Sequence, residues 1–279
     1  MLDFVRQQPF GVELSNRQLS NLSKGDIDAL RQTLATEGVV VARNQRLSDD
    51  ALATFLASLG RVIFTDGEKP VSGVPCLNVV TNANRTRPPR SVFHTDTSYV
   101  SRPPAFTALR AVELPPQGGE TLFVNQYEAL ERLPTSLRRR LPGVRVLHRA
   151  TGLPPDVTTH GQWHPLVRLN PDSGREALFL STPARCVALS SSKHALPRQL
   201  ISFLYHHSIT GGSLYRHRWC EGDVVLWDNR CTLHRADHSN VSGQRTLHRG
   251  LVEGEKPRIA MRTPSRVSGA KAKLIRRAR

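Results

Sequence analysis

The stretch AFTALRAVELPPQGGETLFVN, residues 105–125, decides the reading of the fold. Two apolar runs, AFTALRAVEL (105–114) and TLFVN (121–125), flank PPQGGE, whose prolines and paired glycines end one strand and turn the chain into the next. The same pattern recurs in CLNVVTN (76–82), VRVLHRA (144–150), LVRLN (166–170), EALFLS (176–181), DVVLWDN (223–229), TLHRA (232–236) and RTLHRGLVEG (245–254). Many short strands without regular intervening helices predict a sandwich or closed jelly roll rather than alternating βα units. Helices are expected at the flanks. Residues 24–37 place Ile27, Leu30 and Leu34 at helical spacing, with Gly38 to stop them, and VVVAR (39–43) follows as a buried strand. Residues 48–59 offer Ser48 as a cap, Asp49 and Asp50 in the first turn, and Leu52, Phe55, Leu56 and Leu59 as one face ending at Gly60. A third helix is expected at 196–209, with Leu200, Phe203 and Leu204 as its apolar face. The fold class is therefore mainly β with flanking helices.

Composition bounds the rest. The chain has 279 residues, 39 Lys+Arg against 23 Asp+Glu, and a formal charge of +16. Nine of the basic residues and no acid lie between Lys256 and Arg279, so residues 1–255 carry +7. The length supports a substantial core without disulfide staples. We expect one domain over 1–257 and a basic, flexible tail over 258–279. No apolar run reaches the roughly 18 residues of a membrane helix, and the start, MLDFVRQQPF, lacks the layout of a secretory signal. The four cysteines, Cys76, Cys186, Cys220 and Cys231, are scattered without C-x-x-C spacing, which fits a reducing, cytoplasmic setting.

The chemistry begins at SVFHTDTSY, where His94 and Asp96 are two residues apart. On an extended strand, positions i and i+2 face the same side, so one imidazole and one carboxylate are presented together. Far downstream, His234 ends the run in LWDNRCTLHRA. Two histidines and one carboxylate on one face of a metal leave positions open for a chelating cosubstrate and O2, the facial arrangement of non-haem Fe(II) oxygenases. By itself H-x-D says little, since a His–Asp pair is commonly a surface hydrogen bond. Three features accompany it: the Gly118–Thr121 turn, Arg245 eleven residues after His234, and Arg249 four further on, sharing a strand face with Arg245. Two arginines inside a barrel are costly unless each meets an anion. A guanidinium fork suits a carboxylate such as the distal one of 2-oxoglutarate. On position alone, the solvent-facing edge of a sheet is the commoner place for such residues.

Four blocks then carry a family resemblance: FHTDTSYVSRPPAFTALRAVELPPQGGETLFVN, HPLVRLNPDSGREALFLS, GDVVLWDNRCTLHRA and QRTLHRGLVEGEKP. The chain resembles the Fe(II)/2-oxoglutarate-dependent dioxygenases of the taurine dioxygenase and 2,4-dichlorophenoxyacetate dioxygenase type over roughly residues 10–257. The resemblance implies a double-stranded β-helix, or jelly roll. It implies iron ligands His94, Asp96 and His234, a 2-oxoglutarate carboxylate held by Thr121 and Arg245, and a substrate anion near Arg249 with Trp227 close to the metal. The cofactors would be Fe(II), 2-oxoglutarate as cosubstrate, and O2. The expected reaction is oxidation, chiefly hydroxylation, of an aliphatic C–H of a small anionic substrate, with release of succinate and CO2. A tailoring hydroxylase or desaturase of an amino acid or secondary metabolite is the alternative. By offset, other taurine-contacting positions fall on Thr65, Glu68 and Arg90, which do not reproduce a taurine pocket. The resemblance also implies a homo-oligomer. A nucleic-acid substrate is disfavoured, because dealkylases of this chemistry space the arginine differently after the distal histidine, and the tail lacks interleaved aromatics.

Other motifs read as structural. His206 and His207 diverge on a helix, His217 reads as a strand residue, His248 alternates to the outer face, His160 and His164 suit a loop, and Arg138–Arg140 suit a solvated helix face.

Overall fold

The protein is described from a computed structural model, over residues 2–65, 67–83, 91–151, 161–192 and 195–260. In chain order the first half comprises β1 (Phe4–Arg6), β2 (Val12–Leu14), α1 (Lys24–Glu37), β3 (Val39–Ala42), α2 (Asp49–Leu59), β4 (Val62–Ile63), β5 (Pro70–Val71), β6 (Val74–Thr81), β7 (Pro104–Glu113) and β8 (Thr121–Asn125). There follow α3 (Gln126–Glu131), α4 (Thr135–Arg138), β9 (Arg145–His148), β10 (Gln162–Pro165), β11 (Val167–Leu169), β12 (Glu176–Leu178) and β13 (Cys186–Ser190). The chain closes with α5 (Gln199–Ile209), β14 (Leu214–His217), β15 (Val224–Asp228), β16 (Thr232–Ala236) and β17 (Thr246–Glu253).

A large sheet runs β1-β2-β3-β15-β7-β17-β6-β5, with β4 also on β17. A three-stranded sheet, β14-β8-β16, faces it. Alternation explains the layering. Leu226, Phe106, Ala108 and Leu77 point outward onto α1 and α2, while Val225, Trp227, Leu109 and Leu247 point inward to Phe123 and Tyr215. Phe123 of β8 meets Trp227 of β15 edge-on, ring centroids 5.4 Å apart, across the two layers. This is the jelly roll with flanking helices that the short-strand pattern predicts.

The flanking helices start where their caps dictate. Ser23 and Asp26 form a reciprocal capping box at α1, and Gly38 closes it at φ 80°. Ser48 Oγ accepts from Ala51 N at 3.1 Å to open α2. The third helix differs from expectation. α5 begins at Gln199 and buries Ile201, Leu204 and Ser208, whereas Phe203 is 49% exposed. Its inward face is set by packing against β8 and β13, and Phe203 stacks instead on His207. Arg138–Arg140 are exposed, as a solvated face requires. Among the described residues no helix is long and apolar enough to cross a membrane. The chain stays paired past residue 257: Leu169 N donates to Arg258 O at 2.8 Å. Most of the basic tail, 261–279, lies outside the described residues, as does His160.

His164 lies not in a loop but on β10, paired through Val146 to β9, and is 2% exposed. Its ring sits 5.3 Å from that of the fully buried His148, and both pack on Phe179. Burial lowers His164 to about 4, and burial together with the neighbouring His164 pushes His148 well below the usual histidine range. A depressed histidine pKa gives stability that is present above the unfolded value and lost as pH falls toward the folded one. We expect the unfolding free energy to drop between pH 6.5 and pH 4. The slope should be about 1.4 kcal/mol per pH unit for each histidine. Urea titrations at stepped pH measure it, and His164→Gln should flatten the curve. A wild-type midpoint that stays constant across that window would refute it.

Candidate active site

β8 and β16 pair antiparallel, placing His234 opposite Phe123. The segment before β7 then pairs with the open edge of β16: His94 N and O each bond the backbone of His234 at 2.9 Å. This bridge brings the H-x-D pair to the downstream histidine, 140 positions away in sequence. The ligand atoms of His94, Asp96 and His234 all lie within 4.8 Å of one another. Asp96 Oδ1 is 3.7 Å from His94 Nε2 and 3.8 Å from His234 Nε2. His94 Nδ1 lies 3.0 Å from Val92 O, so this nitrogen carries the proton and Nε2 keeps its lone pair toward the centre. Asp96 and His234 are buried, while the His94 side chain is 31% exposed, leaving one side of the cluster accessible.

Electrostatics fit a cation. Burial alone would raise the Asp96 carboxyl, but His234, the hydrogen-bonding contact with His94 and the Arg249 guanidinium outweigh it and hold the group ionised well below the usual range. Burial, reinforced by neighbouring His94, lowers His234 to about 3 against the opposing pull of Asp96. Neutral imidazoles and an ionised carboxylate are the metal-binding forms. The second Asp96 oxygen is fixed by Thr107 Oγ1 at 2.8 Å. Asn229 locks this arrangement: its Nδ2 donates to Thr107 Oγ1 at 2.7 Å, and its Oδ1 accepts from Asp96 N at 3.3 Å and from Trp227 Nε1 at 3.0 Å. Trp227 is fully buried with its ring 4.4 Å from that of His234, so it backs the His-Asp-His cluster.

Residues 4–251 match the family described as taurine catabolism dioxygenase TauD, TfdA family. The chain belongs to the TauD/TfdA family. It is a 2-oxoglutarate-dependent dioxygenase whose cofactors are Fe(II), 2-oxoglutarate and O2. Among relatives, it is 27% identical to an alpha-ketoglutarate-dependent 2,4-dichlorophenoxyacetate dioxygenase of Burkholderia sp. (strain RASC), over 88% of this chain and 91% of that one. It is 28% identical to an alpha-ketoglutarate-dependent sulfate ester dioxygenase of Pseudomonas putida, over 88% and 87%. A crystal structure of a taurine dioxygenase from Burkholderia xenovorans superposes with a TM-score of 0.77 at 28% identity, covering 92% of each chain.

Within this TauD/TfdA fold, Arg245 immediately precedes β17 and Arg249 lies on it; the two have different surroundings, and neither lies on a solvent-facing edge. Arg245 is 2% exposed, with Nε donating to Gly119 O at 2.8 Å and Nη2 to Thr121 Oγ1 at 3.2 Å. Gly118 and Gly119 both take positive φ, and a Cβ on Gly119 would stand 2.9 Å from Arg245 Cδ, so the paired glycines are what let the arginine lie flat under the turn. Among the described residues two other arginines are as deeply buried, and both find carboxylates: Arg230 pairs with Asp228 at 2.7 Å and Asp172 at 2.8 Å, and Arg168 with Glu255. Arg245 pairs with no carboxylate among the described residues, and burial lowers it to about 10. Thr121 Oγ1 also accepts from Trp219 Nε1 at 3.0 Å, so with two donors already on its oxygen, its own O–H is left to donate. An unmatched guanidinium beside a free hydroxyl donor fits a carboxylate.

Arg249 is matched. Its Nη2 donates to Glu68, and its Nη1 lies 3.5 Å from Asp96 Oδ1. Of the other offset positions, Thr65 is buried, with Oγ1 lacking a hydrogen-bond partner among the described residues, and Arg90 lies outside the described residues. Sequence reasoning missed Thr107, Asn229 and Trp219. Asn229 and Trp219 sit in loops with no periodicity to mark them, and Thr107 reads as an ordinary strand residue.

Proposed function

We propose that this dioxygenase hydroxylates an aliphatic C–H of a small anionic substrate, with His94, Asp96 and His234 holding Fe(II) and with Thr121 and Arg245 holding the distal carboxylate of 2-oxoglutarate. The observation that carries it is the deeply buried Arg245, unmatched by any described carboxylate, on the same barrel interior as the His-Asp-His cluster. When bound, iron and 2-oxoglutarate supply the activation of O2 and the oxidation of the substrate, with succinate and CO2 as coproducts. The chain's residues position and shield. Thr107 and Asn229 keep one Asp96 oxygen turned away from the metal position, Val92 O fixes the His94 tautomer, and the Trp227 ring restricts rotation of His234. Arg249 borders the substrate side of Asp96 and ties it to Glu68. Relatives named for phenoxyacetate and sulfate-ester substrates support an anionic, apolar-bodied substrate. The four free cysteines suit a reducing cytoplasm.

Mixing the protein anaerobically with Fe(II) and 2-oxoglutarate should produce a visible charge-transfer band that neither addition gives alone. Stoichiometric iron binding without such a band would refute the assignment.

A further inference from the structure

A cleft of about 590 Å³ opens directly on His94. Its wall is formed by Val92, Pro183, Ala184 and the ring of Tyr205, and Arg185 stands within it. Tyr205 spends its hydroxyl on Phe93 O at 2.9 Å, so it offers the cleft its ring. Arg185 is held but not neutralised. Its Nη1 donates to Thr95 O at 3.0 Å, its guanidinium lies 5.3 Å from the Tyr99 ring centroid, and its Nε is buried without a hydrogen-bond partner. No carboxylate pairs with it among the described residues.

Arg249, where the resemblance puts the substrate anion, already has Glu68 on Nη2 and Asp96 near Nη1, and its Nε is buried without a hydrogen-bond partner. An incoming anion there must displace Glu68 and adds a negative charge beside two carboxylates. At Arg185 the charge is uncommitted, and the Thr95 contact anchors the guanidinium one residue from both His94 and Asp96. An acid bound there with its apolar body along the Val92–Ala184 wall would lie against the exposed side of His94.

We propose that Arg185 binds the anionic group of the substrate and that the cleft beside His94 takes its apolar body. This rests on the dioxygenase reading above. The probes are phenoxyacetate, hexanesulfonate and hexyl sulfate, with phenoxyethanol and hexanol as neutral counterparts. Each is titrated calorimetrically into the full chain with Fe(II) and 2-oxoglutarate under anaerobic conditions, and succinate formation is then followed in air.

At least one anion should bind the wild type, and Arg185→Gln should weaken it on the order of thirtyfold. Arg185→Lys should recover part of the loss, and binding of the neutral counterpart should change little. Succinate assays should show the loss in KM rather than kcat. Should Arg185→Gln fail to fold, Ala184→Glu at the exposed wall gives an independent reading, because a like charge in the cleft should weaken the anions and spare the neutral compounds. The proposal is overturned if no anion binds the wild type, if binding is indifferent to both positions, or if Arg249→Gln alone weakens it. Anion binding that depends on Arg185 without any succinate refutes the dioxygenase reading and leaves the site. Succinate formation with anion binding indifferent to Arg185 does the reverse.

Discussion

Asp96→Ala should abolish succinate formation and strip the protein of Fe(II). The carboxylate is the sole anion the cluster presents to a metal, with Oδ1 3.7–3.8 Å from both imidazole nitrogens. Its removal leaves two histidines and the Arg249 guanidinium, which in the native protein reaches to within 3.5 Å of that oxygen. A dication would then meet a local positive charge, so affinity should fall on the order of a thousandfold or more. Thr107 Oγ1 also loses the acceptor that fixes it, which is a local cost at a buried site. Iron content after gel filtration and succinate yield should fall together, while the circular dichroism spectrum stays native. A variant that keeps its iron and its turnover would remove Asp96 from the ligand set.

Arg245→Met should separate stability from cosubstrate binding. The guanidinium is buried without a carboxylate, a state several kcal/mol less favourable than a matched one. An apolar chain of similar length relieves that penalty, so the melting temperature of the ligand-free protein should not fall. Loss of the charge-assisted contact should weaken 2-oxoglutarate by about 3 kcal/mol, roughly 100-fold. The rise in melting temperature that 2-oxoglutarate gives the wild type should disappear at equal ligand concentration. Destabilisation without a change in 2-oxoglutarate affinity would make Arg245 a structural residue.

These expectations separate what is local from what is not. The strands at 76–82, 105–114, 121–125, 223–229 and 245–254 were legible because short apolar runs between Gly, Pro and Asn turns bury well only in a layered sheet. The cap at Ser48 is legible because a cap acts within four residues. β1, β2, β10 and β13 are not legible, since three to five residues carry too little periodicity. The inward face of α5 escaped as well, because the partner and not the helix decides which stripe is buried. In the site, His94, Asp96 and His234 stood out by residue type and motif. That they meet depends on the backbone bridge between His94 and His234.

The sequence by itself determined the chemistry on offer: two imidazoles, one carboxylate, and arginines at a fixed strand spacing. The tertiary structure decided which charges are already neutralised. Arg249 meets Glu68 and Asp96, Arg230 meets Asp228, and Arg245 and Arg185 meet no described carboxylate. The reason is physical: the cost of a buried charge is set by where its counter-charge lies in space, and partners 181 positions apart, as Glu68 and Arg249 are, leave no trace in spacing or periodicity.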